Sequence, residues 1–532
     1  MGTADEKGWE YHRDFDLNEL HNSKVKIVDT ANLDWSKLEN KAYVTLSHKW
    51  GGNNKPARLT REMEKGYYQG IELASLPQTF QDAVQFALRV DDRVHYIWID
   101  SLCIFQGDAD DWLRESALMQ DVYRNSFLNI SATAAEHSGE GLYSHRNPQH
   151  LWEDMVRLNV DGLRYGADWT QNIVANLSVS DSDSQSARVR NCLLVDVSSW
   201  EKLVNQAPLH QRGWVVQERL LAPRVLHFCR GRVAWECAEF DGIEGHVPNV
   251  PKYELVGDDI YEGIPFKGLE PDNHGKRIRK NRLEKMEPTN LGEYKQHSRT
   301  VHSLELWARI VELYSRTDLT EKKDKLVALS GIANRMATII EDSTPIRYIA
   351  GFWDVHLISQ LLWHMEPVYR GDSDSRVNTL QHLSKRPTEY RAPSFSWASI
   401  DAQYGNGITC GHVLNSDSFL VEVPQDEPAI GRGQDIEVWE KGISVSLATD
   451  NKYGIVQRCH IRLWAWLHQV KLHRDGASHY YWTLNFSDET SVEPKIKNEK
   501  HFDVYLDCPG DDDLGNHLTD SNEIYYSAGN DF

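Results

Sequence analysis

Residues 42–47, Ala-Tyr-Val-Thr-Leu-Ser, alternate apolar and polar positions in a way that predicts a strand. The following Trp50-Gly51-Gly52-Asn53-Asn54 predicts a turn. Leu76, Phe80, Val84, Ala87 and Leu88 recur at helical spacing, which predicts an amphipathic helix over about 77–90. Val94-His95-Tyr96-Ile97-Trp98-Ile99 is almost wholly apolar and reads as a strand buried on both faces. A second helix covers about 109–124, and Phe127-Leu128-Asn129-Ile130-Ser131 is a third strand. This alternation of strands and helices predicts an α/β fold: a parallel sheet built from 43–47, 94–99 and 127–131, with right-handed crossovers.

Apolar stretches follow at 192–197, 224–229 and 232–237. Between about 250 and 300 the chain becomes charged and Gly/Pro-containing, as a boundary or surface excursion would. Helical periodicity resumes around 303–316, 323–341 and 356–366, and from about 436 the pattern changes to short β-like runs. We therefore divide the chain into an N-terminal unit over 1–250 (core 43–224), a charged linker or surface excursion over 251–300, a mainly helical region over 301–430, and a β-rich region over 431–532. A length of 532 residues calls for two or three cores.

Composition narrows the functional classes. The 18 Trp and 22 Tyr are spread along the chain, which argues for several aromatic-rich cores and against long disorder. The net charge of −21 repels phosphate backbones and anionic lipid, so nucleic acid is not an expected partner. The one strong basic run, Lys276-Arg277-Ile278-Arg279-Lys280-Asn281-Arg282, reads as a solvated linker. The seven cysteines are odd in number and irregular in spacing, like reduced cytosolic thiols. There is no apolar leader and no run near the ~20 residues of a membrane span, so the expected location is the cytoplasm.

Candidate chemistry collects where the parallel strands end, since ligands approach such sheets from their carboxyl edge. Ser47, His48, Lys49, Trp50 and Gly51 follow the first strand, and Asp100 and Ser101 follow the second. Gly51-Gly52 admits either a close diphosphate or a plain turn. Asp100 is either a pocket carboxylate or a helix cap. On helix 109–124, Glu115 lies about 60° from Trp112 on a wheel of about 100° per residue, inside the apolar arc with Met119, Val122 and Tyr123. A carboxylate there is paired or used, and two readings stand: an internal ion pair with Arg212 or Arg224, or catalysis. Trp112, on the same arc, is a candidate substrate contact. Cys103 has apolar neighbours and reads as an inert thiol, not as the nucleophile of a Cys103–His48 hydrolase. His227, Cys229, Cys237 and His246 match no compact zinc signature, so no metal is expected. Arg212, Gly213, Trp214, Gln217, Glu218 and Arg219 read as a polar network locking a helix onto the sheet. Gln217 and Glu218 could also reach the pocket.

Three blocks resemble the fungal heterokaryon-incompatibility (HET) family in the family's order. They are Tyr43-Val44-Thr45-Leu46-Ser47-His48-Lys49-Trp50-Gly51; the stretch from Leu76-Pro77-Gln78-Thr79-Phe80 through Trp98-Ile99-Asp100-Ser101-Leu102-Cys103 and Asp111-Trp112 to Gly141-Leu142; and Arg212-Gly213-Trp214-Val215-Val216-Gln217-Glu218-Arg219-Leu220-Leu221-Ala222-Pro223-Arg224. His48-Lys49 stands where the family usually has Tyr-Cys, so no thiol role transfers there. The chain ends at Asn530-Asp531-Phe532, short of the family's usual last strands, which suggests a truncated or shortened member. The resemblance implies a cell-death effector of incompatibility with a TIR-like, flavodoxin-like sheet. Asp111-Trp112-Leu113-Arg114-Glu115 resembles the segment carrying the catalytic glutamate of NAD-cleaving TIR domains. That implies NAD or a related nucleotide as substrate, Glu115 as the catalytic group and no cofactor. It also implies self-association or a partner incompatibility protein. The same resemblance admits a non-enzymatic signalling scaffold.

Overall fold

In the computed structural model, the described residues are 42–146 apart from 52–56, then 198–245, 299–340 and 346–402 with short gaps, 443–461, and shorter segments between and after these. The N-terminal half is built on one sheet. Its strands are β1 (Ala42–Ser47), β2 (Val94–Ile99), β3 (Leu128–Ser131), β4 (Arg224–Phe228), β5 (Val233–Cys237) and β6 (Asp241–Ile243), in the order β2-β1-β3-β4-β5-β6. The first four are parallel, with Val44 opposite Ile97, Leu46 opposite Ile130 and Ile130 opposite Leu226. β5 and β6 extend the sheet antiparallel. The helices α1 (Gln78–Val90), α2 (Ala109–Arg124) and α3 (Gly213–Leu221) make the crossovers. The three strands and two helices expected from periodicity are therefore present, and the strands pair as expected.

Period-two alternation splits this sheet into two differently furnished faces. Val44, Leu46, Ile97, Ile99, Leu128 and Ile130 face α1 and pack with Phe80, Ala83 and Val84. Phe80 is fully buried, a burial that favours folding by about 2–3 kcal/mol. Tyr43 and Trp98 face the other way, toward Met119, Val122 and Tyr123 of α2 and Leu220 of α3. Thr45, Ser47 and Asn129 share the parity of Tyr43 and Trp98, so this second face carries a polar seam near its carboxyl end.

The second face does not end at the N-terminal unit. Its apolar cluster continues into α5 (Arg299–Ser315), α6 (Ser330–Ile340) and the Trp353 and Trp397 region. Ahead of α5, the basic run departs from expectation. Lys276–Glu284 is helix α4 rather than a solvated linker, because Ile278 and Arg279 are both buried on one side of it. Arg279 donates to Glu305 at 3.0 Å and to the Val413 carbonyl at 2.6 Å. The helical periodicity at 323–341 becomes short 3-10 turns followed by α6. Within 356–366 only Leu357–Gln360 is helical, because Trp363–Met365 pairs antiparallel with Ile408–Cys410. The later described strands form short antiparallel pairs, including Val470–Asp475 with His479–Leu484. Among the described residues no helix is long and apolar enough to cross a membrane.

The Arg279–Glu305 pair yields a direct test of the buried-helix finding. Arg279→Met leaves the fully buried Glu305 carboxylate without this cation and should cost roughly 3–5 kcal/mol in urea unfolding. Arg279→Met with Glu305→Leu should recover most of that loss. An Arg279→Met protein with an unchanged urea midpoint would mean the run is solvated after all.

Candidate functional site

The carboxyl edge of the parallel sheet gathers side chains from four separate parts of the sequence. Ser47 ends β1 on the seam side, and its hydroxyl donates to the Glu218 carboxylate of α3. Asn129, from the middle of β3, has its Oδ1 3.1 Å from Thr45 Oγ1 and 3.2 Å from Ser47 Oγ. Tyr123 of α2 reaches the same carboxylate through its hydroxyl. Asp100 follows β2 on the same face: its Oδ1 takes the Ser101 N–H at 2.7 Å, and its Oδ2 takes the Trp50 indole N–H at 3.0 Å. Asp100 is the first residue of the short turn of helix at 100–103, whose preceding residue, Ile99, makes no side-chain cap, and its carboxylate lies between Ser101 and Trp50.

His48 sits one residue on from Ser47 and therefore projects toward α1, where its ring meets Phe80 edge-on at 4.7 Å. It also stacks beside Trp50 at 6.4 Å, and its Nδ1 lies 3.6 Å from Asp100. Arg212, at the entry to α3, donates to the His48 carbonyl and so ties that helix to the end of β1. Burial lowers the His48 pKa to about 4 despite the Asp100 carboxylate, so the imidazole is neutral at neutral pH.

Glu218 is the unusual member. It is 5% exposed, and burial pushes its pKa up to about 7, with the charge of Asp100 adding to the shift. The Ser47 hydrogen bond and the Arg212 charge act in the opposite direction but do not cancel it. Glu218 and Asp100 thus bring two carboxylates to this strand end, with Arg212 as the nearby cation acting on Glu218. Trp50 and the 22%-exposed Asp100 are its partly exposed members.

The remaining candidates fall elsewhere. Lys49 turns outward to Glu136 at 2.7 Å. Gly51 packs on His137, where a Cβ would collide with the histidine Cβ, so close packing accounts for this glycine; Gly52 lies outside the described residues. Ser101 is fully buried. Trp112 meets Trp214 edge-on at 6.2 Å, in the contact between α2 and α3. Cys103 packs against the apolar core. Glu115 is buried, as its place on the helical wheel requires, and Arg114 donates to it at 3.3 Å. Of the two arginines considered as its partner, Arg212 donates to the His48 carbonyl and Arg224 to the Phe127 carbonyl.

The helix-locking network lies beside the cluster, one strand over. Arg219 makes a two-pronged pair with Glu236 of β5 at 2.7 and 3.0 Å. His227 of β4 stands between Glu236 and Thr133, each 3.2 Å from a ring nitrogen. Those partners account for the imidazole of His227; His246 lies outside the described residues. Adjacent residues of α3 therefore serve two neighbouring polar groups, Glu218 the first and Arg219 the second. Asn129 escaped the sequence reading, although an Asn inside the otherwise apolar Phe127–Ile130 run was a visible signal, and Tyr123 was read only as part of the apolar arc of its helix.

Residues 43–218 match the model of the family described as Heterokaryon incompatibility protein (HET). No curated protein and no solved structure matches the chain.

The raised Glu218 pKa fixes the sign of a stability effect. Between about 4.5 and about 7 the folded protein holds a proton that the unfolded chain has released, so folding loses stability as pH rises through that window. Glu218→Gln has no such proton to lose. Thermal and urea unfolding should show it more stable than the wild type at pH 8, by up to about 3 kcal/mol, and nearly equal at pH 4. A variant less stable than the wild type at pH 8 would show that the carboxylate is fully compensated.

Proposed function

Because residues 43–218 are a HET domain, which places the chain among the heterokaryon-incompatibility proteins, we propose that it acts in fungal incompatibility by cleaving the N-glycosidic bond of NAD or a related nucleotide at the carboxyl edge of its sheet. The observation that carries this reading is the buried Glu218 carboxylate beside Ser47 and Asp100. We place the reacting carboxylate at Glu218 in preference to Glu115, since Glu218 meets the strand end where ligands approach parallel sheets.

The chemistry asks little of the protein beyond charge and shape. When the ribosyl C1′–N bond breaks, its electron pair neutralises the pyridinium, so nicotinamide leaves without a general acid. The ribosyl cation that remains is stabilised by the Glu218 carboxylate and captured by water, whose proton passes to the carboxylate and then to solvent. Ser47 and Tyr123 hold the carboxylate in place with Asn129 supporting Ser47, Asp100 adds negative potential, and Trp50 offers a face for the leaving ring. Neutral His48 adds no competing positive charge. The choice of an NAD-class substrate comes from the TIR resemblance of the Asp111–Glu115 segment, which carries the role on Glu115 and not on Glu218. The competing reading, a non-enzymatic scaffold, uses this surface to recruit a partner or another copy.

Expression in a fungal host separates these readings. The wild type should arrest growth and deplete cellular NAD. Glu218→Gln should lower NAD loss by ~10²–10³-fold, the range for losing one electrostatic stabiliser, at undiminished protein level. Arrest with intact NAD would favour the scaffold. Glu115→Gln in parallel assigns the carboxylate: a folded, inactive Glu115→Gln beside an active Glu218→Gln would return the role to Glu115. Trp50→Ala should relieve the arrest without unfolding the protein, and full toxicity from stably expressed Trp50→Ala would count against this pocket.

A further inference from the structure

Helix α3 is held from both sides, and only one side is the sheet. Its nine residues are too few to be stable alone, since isolated helices below about 12–15 residues are marginal in water. On the sheet side, Glu218 meets Ser47 and Arg219 meets Glu236. On the other side, α3 meets the segment 313–340. At its start, the Gly213 N–H donates to the Asp318 carbonyl at 2.8 Å, and the Asp318 N–H donates to the Gln211 carbonyl at 2.7 Å. A Cβ on Gly213 would lie 2.6 Å from Leu319 Cδ2 and 3.2 Å from Tyr314 Cε2, so the glycine packs directly on these two side chains.

One turn further along, Gln217 faces the start of α6. Its Oε1 accepts the Gly331 N–H at 2.8 Å, and both groups are buried. A Cβ on Gly331 would come 2.6 Å from Gln217 Oε1 and 2.6 Å from Gln120 Cβ. Asn334 of α6 donates to Gln120 at 2.8 Å, so the same helix also grips α2, which carries Tyr123. Gln217 is thus the sequence neighbour of Glu218 and points to the opposite support.

We propose that the segment 313–340 is a built-in clamp that sets the position of Glu218, with Gln217 and Gly331 as its positioning residues. The proposal rests on the assignment of the reacting carboxylate to Glu218. It makes the helical region part of the working centre and not a separate attachment. A displacement of α6 would move the carboxylate relative to Ser47 without touching the sheet, which gives the C-terminal half a mechanical route to the site.

Hydrogen exchange on the full-length chain, without nucleotide, tests this. In Gly331→Val the amides of 213–221 should exchange at least ~10-fold faster, while those of β1 and β3 stay protected. Gln217→Leu removes the acceptor without adding bulk at Gly331, and it carries the test alone if Gly331→Val fails to fold. A positioning role makes a second demand that packing alone does not. In the Gln217→Leu background, the pH-dependent stability difference made by Glu218→Gln should fall by at least half, because the carboxylate leaves its buried place. Wild-type exchange over 213–221 in a folded Gln217→Leu protein, or an undiminished pH-dependent difference, would overturn the proposal. Neither readout needs turnover, so a chain that leaves NAD intact still decides it.

Discussion

The carboxylate of Glu218 is buried against the end of a parallel strand, and much of the surrounding architecture serves to keep it there. A buried charge is tolerated only when its neighbours supply hydrogen bonds or when it is partly neutralised. Ser47 and Tyr123 supply the first, and a pKa near 7 supplies the second. The cost falls on folding, which loses stability as pH rises toward 7. The neighbouring Arg219–Glu236 pair shows the contrast: two hydrogen bonds join the two charges directly, with Asn205 and His227 as their further partners.

Alternation along the strands explains why the polar groups gather on one face. Val44, Leu46, Ile97 and Ile130 give the α1 side to apolar packing, which leaves Thr45, Ser47 and Asn129 on the side where α3 lies. The first parallel strands and α3 then concentrate the seam at their carboxyl ends. The same face carries the apolar cluster into α5 and α6, so the edge that holds the site also holds the C-terminal half.

Much of this was legible in the sequence where periodicity was long and clean. The three parallel strands and helices 78–90 and 109–124 lie almost where their patterns place them, because each helix buries one well-marked face and the strands are buried nearly throughout. Glu115 was correctly placed on a buried arc, but burial alone does not say what a carboxylate faces. Ser47 and Glu218 are 171 residues apart, and no local pattern announces that they meet. The basic run misled for the opposite reason. Six of its seven residues are polar, yet Ile278 and Arg279 are buried on one side of a helix, the arginine paired with Glu305 and the Val413 carbonyl. Trp363–Met365 turned from helix to strand because its partner, Ile408–Cys410, lies far along the chain.

The most direct test of the central claim is the pH–rate profile of nicotinamide release by the purified full-length protein incubated with NAD at high concentration with crowding agents. If the Glu218 carboxylate is the stabilising charge, release rises as pH increases and levels off above a midpoint near 7, and Glu218→Gln is slow and flat across the range. A rate that falls with rising pH, or a Glu218→Gln protein that keeps the wild-type profile, would contradict the account.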